Sequence, residues 1–132
     1  MLANWKVDVA GLKKAVDDFD GFSIVYFVNP NNPTSTVTPA SEIDPWVRSK
    51  PDKTLFIADE AYAEYVSDPN FKSMANLIQD GLDNVVLLKT FSKLYAMAGM
   101  RVGFAVGAPA IIKMMKDQVA GEKLRGYRHI CG

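Results

Sequence analysis

Four short apolar runs, each bounded by turn residues and separated by longer segments, constrain this chain more than any other feature. They are "FSIVYFV" (22–28), "TLFIAD" (54–59), "NVVLL" (84–88) and "RVGFAVG" (101–107). Continuous β-branched and aromatic runs of this length suit strands buried on both faces, as in parallel sheets. Before the first run, "VDVAGLKKAVDDF" sets Val9, Leu12, Val16 and Phe19 at helical spacing behind Asp8 as a cap, and Gly21 is the stop. A short helix is expected from about Ala40 to Arg48, opened by Thr38 and Pro39, with Pro45 bending or splitting it. "PNFKSMANLIQDG" reads as a helix through Phe71, Met74 and Leu77 or Ile78, closed near Gly81. "APAIIKMMKDQVAGEKL" reads as a last helix with Pro109 near its start. Strands interleaved with helices predict an α/β fold, a three-layer sandwich around a mostly parallel sheet. Only residues 89–101 separate Leu88 from Val102, near the lower limit for a parallel crossover, so the fourth strand is expected to run antiparallel.

The remaining bulk properties exclude function classes. The 132 residues allow one domain at most, and fifteen basic against fifteen acidic residues give no general pull toward nucleic acid or an anionic membrane. One cysteine, Cys131, excludes an internal disulfide and a cysteine-rich zinc site. One histidine, His129, argues against a histidine metal cluster or a serine–histidine–aspartate triad. No apolar run approaches the ~20 residues that a membrane-spanning helix needs, and "MLANWKVDVAGLKK" lacks the apolar centre of a signal peptide. The cytosol is the expected location.

Polar residues cluster where three of the runs end. Asn32 lies just past the first, in the turn-rich "NPNNPTSTVTP"; Asp59 ends the second; Lys93 lies just past the third. Parallel strands would deliver this amide, carboxylate and amine to one edge, where open α/β sheets bind ligands. Tyr62, three residues after Asp59, is about one helical turn on and can face the same crevice. A lysine that attacks carbonyls forms a Schiff base and must be partly neutral. Pyridoxal 5'-phosphate (PLP) is the cofactor that joins such a lysine to an acid on its ring nitrogen. Its phosphate needs hydroxyl donors and an arginine, and "TFSKLYAMAGMR" supplies Thr90, Ser92 and Arg101.

Each residue also has a plain explanation. Asn32 can be a turn residue, Asp59 a helix cap, Thr90 and Ser92 caps for a helix starting near Lys93, Lys93 a solvated amine, and Arg101 a strand-end charge. Tyr26, Tyr65, Tyr95 and the two tryptophans read as packing. Met97, Met100, Met114 and Met115 read as core or interface filler.

Taken together, "NPNNPTS" (29–35), "ADEAY" (58–62) and "TFSKLYAMAGMRVGF" (90–104) resemble the fold-type I PLP-dependent aminotransferases of classes I and II, in particular the histidinol-phosphate aminotransferases. The resemblance spans roughly Trp5 to Met115, and the order and spacing of the three motifs carry it. It implies that Lys93 holds the cofactor and shuttles the substrate proton, and that Asp59 pairs with the pyridine nitrogen. By the same resemblance Asn32 and Tyr62 bond the ring oxygen, while Thr90, Ser92 and Arg101 hold the phosphate. It implies an antiparallel fourth strand, amino-acid and 2-oxo-acid substrates and a homodimer. Ser35 stands where glycine commonly follows "NPT", and Ala96 where glycine often follows the lysine segment. Both are small, and they bear on loop geometry and close specificity rather than on the cofactor.

Members of the family are longer than this chain. The expected division is a partial cofactor-binding large domain over residues 1–124 and an atypical tail, "RGYRHICG", over 125–132. A partial domain implies an exposed sheet edge. The function expected is amino-group transfer by a truncated core. The alternatives are a non-catalytic remnant or interaction module, and a PLP-dependent decarboxylase or lyase.

Overall fold

The computed structural model describes residues 5–121. The tail expected at 125–132, with His129 and Cys131, lies outside the described residues. The elements in chain order are α1 (Val9–Asp17), β1 (Ser23–Val28), α2 (Ala40–Arg48), β2 (Thr54–Asp59), α3 (Ala75–Gln79), β3 (Val85–Thr90), β4 (Gly103–Gly107) and α4 (Pro109–Gly121). The four strands form one sheet in the order β1-β2-β3-β4. The first three are parallel and β4 is antiparallel to β3, as expected from the short connection.

Register decides which face each side chain takes. Val25 pairs with Phe56 and Phe56 with Val85, while Phe27 pairs with Ala58 and Ala58 with Leu87. These two rows form the buried face, against Ile43, Trp46 and Val47 of α2, with Met74 and Leu77 at and in α3. Trp46 stands edge-on to Phe56 with ring centres 5.0 Å apart and edge-on to Phe27 at 6.0 Å. Such pairs add about 0.5–1.5 kcal/mol beyond burial. Val9 and Val16 bring α1 to the same core, with Asp8 accepting from the Gly11 amide as its cap.

The opposite face differs from the sequence expectation. Ile24 is 60% and Tyr26 52% exposed, so β1 is buried on one face only. Apolarity specified a strand able to be buried twice, but the second face needs a covering layer. α4 approaches it at the β4 end. A methyl built on Gly107 would lie 3.6 Å from Ile112 of α4 and 3.4 Å from Val86. β1 and β4 are the outermost described strands.

Two helices also depart from expectation. α2 runs unbroken through Pro45, which lies on its exposed side. Residues 69–74 are not helical, leaving α3 five residues long. The cause is competition from side chains. Asp68 takes the Asn70 amide at 2.8 Å, and Glu60 takes the Met74 amide at 2.7 Å and the Ser73 hydroxyl at 2.7 Å. Gly81 then closes the segment with φ +89°.

Candidate functional site

The carboxyl ends of the parallel strands are tied to one another. The Asn29 amide donates to the Asp59 carbonyl at 3.0 Å, and the Glu60 amide to the Leu88 carbonyl at 3.1 Å. The segments leaving β1, β2 and β3 therefore start from one line, outside which ligands bind in sheets of this kind.

The loop after β1 is held by its own polar groups. The buried Asn29 side chain donates to the Thr38 carbonyl at 3.0 Å and accepts from the Thr38 amide at 2.9 Å, closing the loop where α2 begins. Inside it, the Asn31 amide donates to the Thr36 carbonyl and the Ser35 amide to the Asn31 carbonyl, both at 2.8 Å. Asn32 stands exposed at the tip. With Tyr62, Ser35, Val37, Tyr65 and Asp68 it lines a cavity of about 410 Å³.

At the end of β2 two adjacent acids part company, because strand side chains alternate faces. Asp59 turns toward the open face. Its Oδ1 accepts from the Ala61 amide at 3.1 Å and its Oδ2 from the Tyr26 phenol at 2.6 Å. That hydrogen bond, then burial, then the aspartate charge push the phenol up to about 12. Glu60 turns inward and is 2% exposed. Besides Ser73 and Met74 it meets Lys89 Nζ at 3.4 Å, and Lys89 also holds Glu64 at 2.8 Å. Burial alone would raise the Glu64 carboxyl, but the bond from Lys89, its backbone bond and the lysine charge hold it below its ordinary range.

Tyr62 precedes a 3-10 turn at Ala63–Tyr65 rather than lying in an α-helix. The exposed Lys93 places Nζ over its ring, 5.0 Å from the centre, a cation–π contact. No helix starts at Lys93. Instead Thr90 Oγ1 accepts from the Ser92 amide at 3.1 Å and donates to the Val102 carbonyl at 3.4 Å, so the two hydroxyl residues share a turn. β4 closes on this turn because Gly103, opposite Thr90, has no side chain: a Cβ there would meet the Lys89 carbonyl oxygen at 2.8 Å. Arg101 is exposed, and its Nη1 donates to the Ala98 carbonyl at 3.1 Å.

Thus Asn32 and Tyr62 share a cavity, Tyr62 meets Lys93, and Thr90 meets Ser92. The direct side-chain partner of Asp59 is Tyr26, which the sequence had assigned to packing. Trp46 does pack in the core, whereas Trp5, Tyr65 and Tyr95 are exposed. Nothing in the sequence marked Tyr26, because only the register between β1 and β2 brings it to Asp59.

Left-handed backbone occurs in these loops, as it also does at Trp5 and, ahead of β2, at Lys50 and Lys53. Ser35, Ala96 and Arg101 have φ of 56°, 53° and 53°. Non-glycine residues there persist only where the surroundings enforce them. Left-handed turns thus occur at Ser35 and Ala96, the two positions where the resemblance leads to an expected glycine.

The donor set suits PLP. Asp59 offers a carboxylate with both oxygens held and lone pairs to spare, Lys93 an accessible amine, and Thr90, Ser92 and Arg101 hydroxyls and guanidinium N–H groups on one short connection. Among the described residues no His, Cys, Asp and Glu cluster could hold a metal, and no helix is long and apolar enough to cross a membrane.

Residues 2–121 match the family described as aminotransferase class I and II. An aromatic amino acid aminotransferase of Mycobacteroides abscessus is 43% identical over 84% of this chain and 31% of its own length. A candidate histidinol-phosphate aminotransferase of Erwinia carotovora atroseptica superposes with a TM-score of 0.89 at 59% identity, over 91% of this chain and 35% of the other. The histidinol-phosphate aminotransferase of Sinorhizobium meliloti, solved in complex with pyridoxal-5'-phosphate, superposes with a TM-score of 0.76 at 30% identity, over 88% and 30%. The chain spans about a third of the length of these proteins.

Proposed function

The chain belongs to the aminotransferases of classes I and II, and from that premise we propose that it carries the PLP-binding core of an enzyme moving an amino group between an amino acid, or a histidinol-phosphate-like amine, and a 2-oxo acid. Bound PLP supplies an electron sink conjugated to the carbon that exchanges the amino group. The residues of this chain do the rest. Lys93 would hold the cofactor through its amine and move the proton at the substrate carbon. Asp59, an anion with both oxygens already engaged, keeps a positive charge on the ring nitrogen. Asn32 and Tyr62 donate to the ring oxygen, and the Tyr62 ring also gives Lys93 a defined place to rest. Thr90, Ser92 and Arg101 grip the phosphate.

The observation that supports this most is the juxtaposition around Tyr62. Its ring lies under Lys93 and lines the cavity that holds Asn32, three residues on from the doubly bonded Asp59. A homodimer belongs to the proposal, supported by the exposed apolar side chains of Leu94, Tyr95, Met97 and Met100 beside Lys93.

The test is direct. Purified chain mixed with PLP should turn yellow, and borohydride should then fix the cofactor's mass on the peptide bearing Lys93. Lys93→Ala should abolish both. Label on other lysines in proportion to their exposure, with none favouring Lys93, would overturn the site. Amine transfer is then measured with aromatic amino acids and histidinol phosphate as donors.

A further inference from the structure

We propose that Tyr26 is a positioning residue for Asp59, fixing the plane of the carboxylate that faces the cofactor's ring nitrogen; this rests on the PLP-binding reading above. Tyr26 pairs with Ile57 across the parallel β1–β2 ladder, and Val28 pairs with Asp59. Because side chains alternate, Tyr26, Val28, Ile57 and Asp59 share the open face, with Tyr26 one pleat period below the aspartate. A phenol is long enough to cover that offset, and the 2.6 Å contact is the short distance of a hydroxyl bonded to an anion.

The geometry explains why a tyrosine serves where a phenylalanine would pack as well. An aspartate carboxyl turns freely about its last bond, whose torsional well is broad. With Oδ1 on the Ala61 amide and Oδ2 on the Tyr26 phenol, it is held at both ends. Both groups donate, and the carboxylate keeps further lone pairs free for a ring N–H. The neighbours on that face are apolar: Val28 and Leu88, which pair with Asp59, and Ile57, two residues before it, offer the carboxylate nothing else to bond. Tyr26 is also 52% exposed, so burial does not account for the choice of an aromatic with a hydroxyl.

The experiment compares PLP affinity and the visible absorbance of bound PLP in the whole chain and in Tyr26→Phe, Asp59→Asn, the double variant and Ile24→Ala. A hydrogen bond to a charged group at a half-exposed site predicts that Tyr26→Phe weakens PLP binding by about three- to ten-fold. It should also shift the pH at which the bound cofactor changes colour, a readout that looser packing would not move. In the Asp59→Asn background the tyrosine change should have no further effect, since the two act as one unit. Ile24→Ala, on the same strand and face, should leave affinity and colour unchanged. Tyr26→Phe matching the wild type while Asp59→Asn binds weakly would overturn the role of Tyr26 alone. An equal loss in Ile24→Ala, or full additivity in the double variant, would do the same. Unaltered binding in Asp59→Asn would overturn the cofactor reading itself.

Discussion

Glu60→Ala probes the inward half of the acid pair that ends β2. The side chain is 2% exposed and accepts from the Met74 amide and the Ser73 hydroxyl, both at 2.7 Å, with Lys89 Nζ at 3.4 Å. Truncation leaves the two donors without their acceptor, at about 1–3 kcal/mol each. Lys89 keeps Glu64 at 2.8 Å, so the third interaction adds little. Removing a buried carboxylate also relieves its desolvation, which trims the total toward about 3 kcal/mol, the scale of a broken buried polar cluster. With a urea slope of roughly 2 kcal/mol per molar, the midpoint should fall by about 1.5 M. The assay is equilibrium urea unfolding followed by fluorescence, for which Trp46, packed between Phe27 and Phe56, is the buried reporter. Glu64→Ala is the comparator: its pair with Lys89 is partly solvated and should be worth no more than about 1 kcal/mol. If Glu60→Ala cost no more than Glu64→Ala, the assignment of Glu60 as the tie between β2, α3 and β3 would be wrong.

Two further outcomes follow from the site. Ser35→Gly and Ala96→Gly should each stabilise the chain by about 0.5–1 kcal/mol, the left-handed penalty less the extra freedom glycine gains when unfolded; thermal midpoints that fall instead would show that contacts of the serine or alanine outweigh the strain. The Tyr26 phenol is raised from 10.0 to about 12 in the fold, so its contribution to stability is fully present below pH 10 and lost as pH rises through 12. Melting midpoints across that window should therefore fall more steeply for the wild type than for Asp59→Asn, in which alkaline difference spectra should also show the phenol titrating nearer 10; parallel pH curves would contradict the bond.

Much of the architecture was legible because apolar runs report strands directly. β2 has the limits expected of it, and the antiparallel β4 agrees with a connection near the lower limit for a parallel crossover. What sequence could not show were events between segments distant in the chain. The helix expected across 69–81 shrank because Glu60 and Asp68 bond backbone that would otherwise have begun it. A run such as "SIVYFV" specifies how apolar a strand is but not which neighbours cover it, so the exposed face of β1 was not foreseen. Lys93, Asp59 and Asn32 stood out because strand ends locate them. Tyr26 and Glu60 did not, since their partners depend on register and tertiary approach.

The opposite aims of the last β2 residue and its successor limit how the chain can change length. One residue inserted or deleted within Thr54–Ala58 would turn the strand over, sending the longer acid into the crevice and the shorter one into the oily interior. Gaining or losing two residues would keep the acids on their proper sides. Length variation inside β2 is therefore tolerable only in even steps, a rule that the surrounding loops do not share.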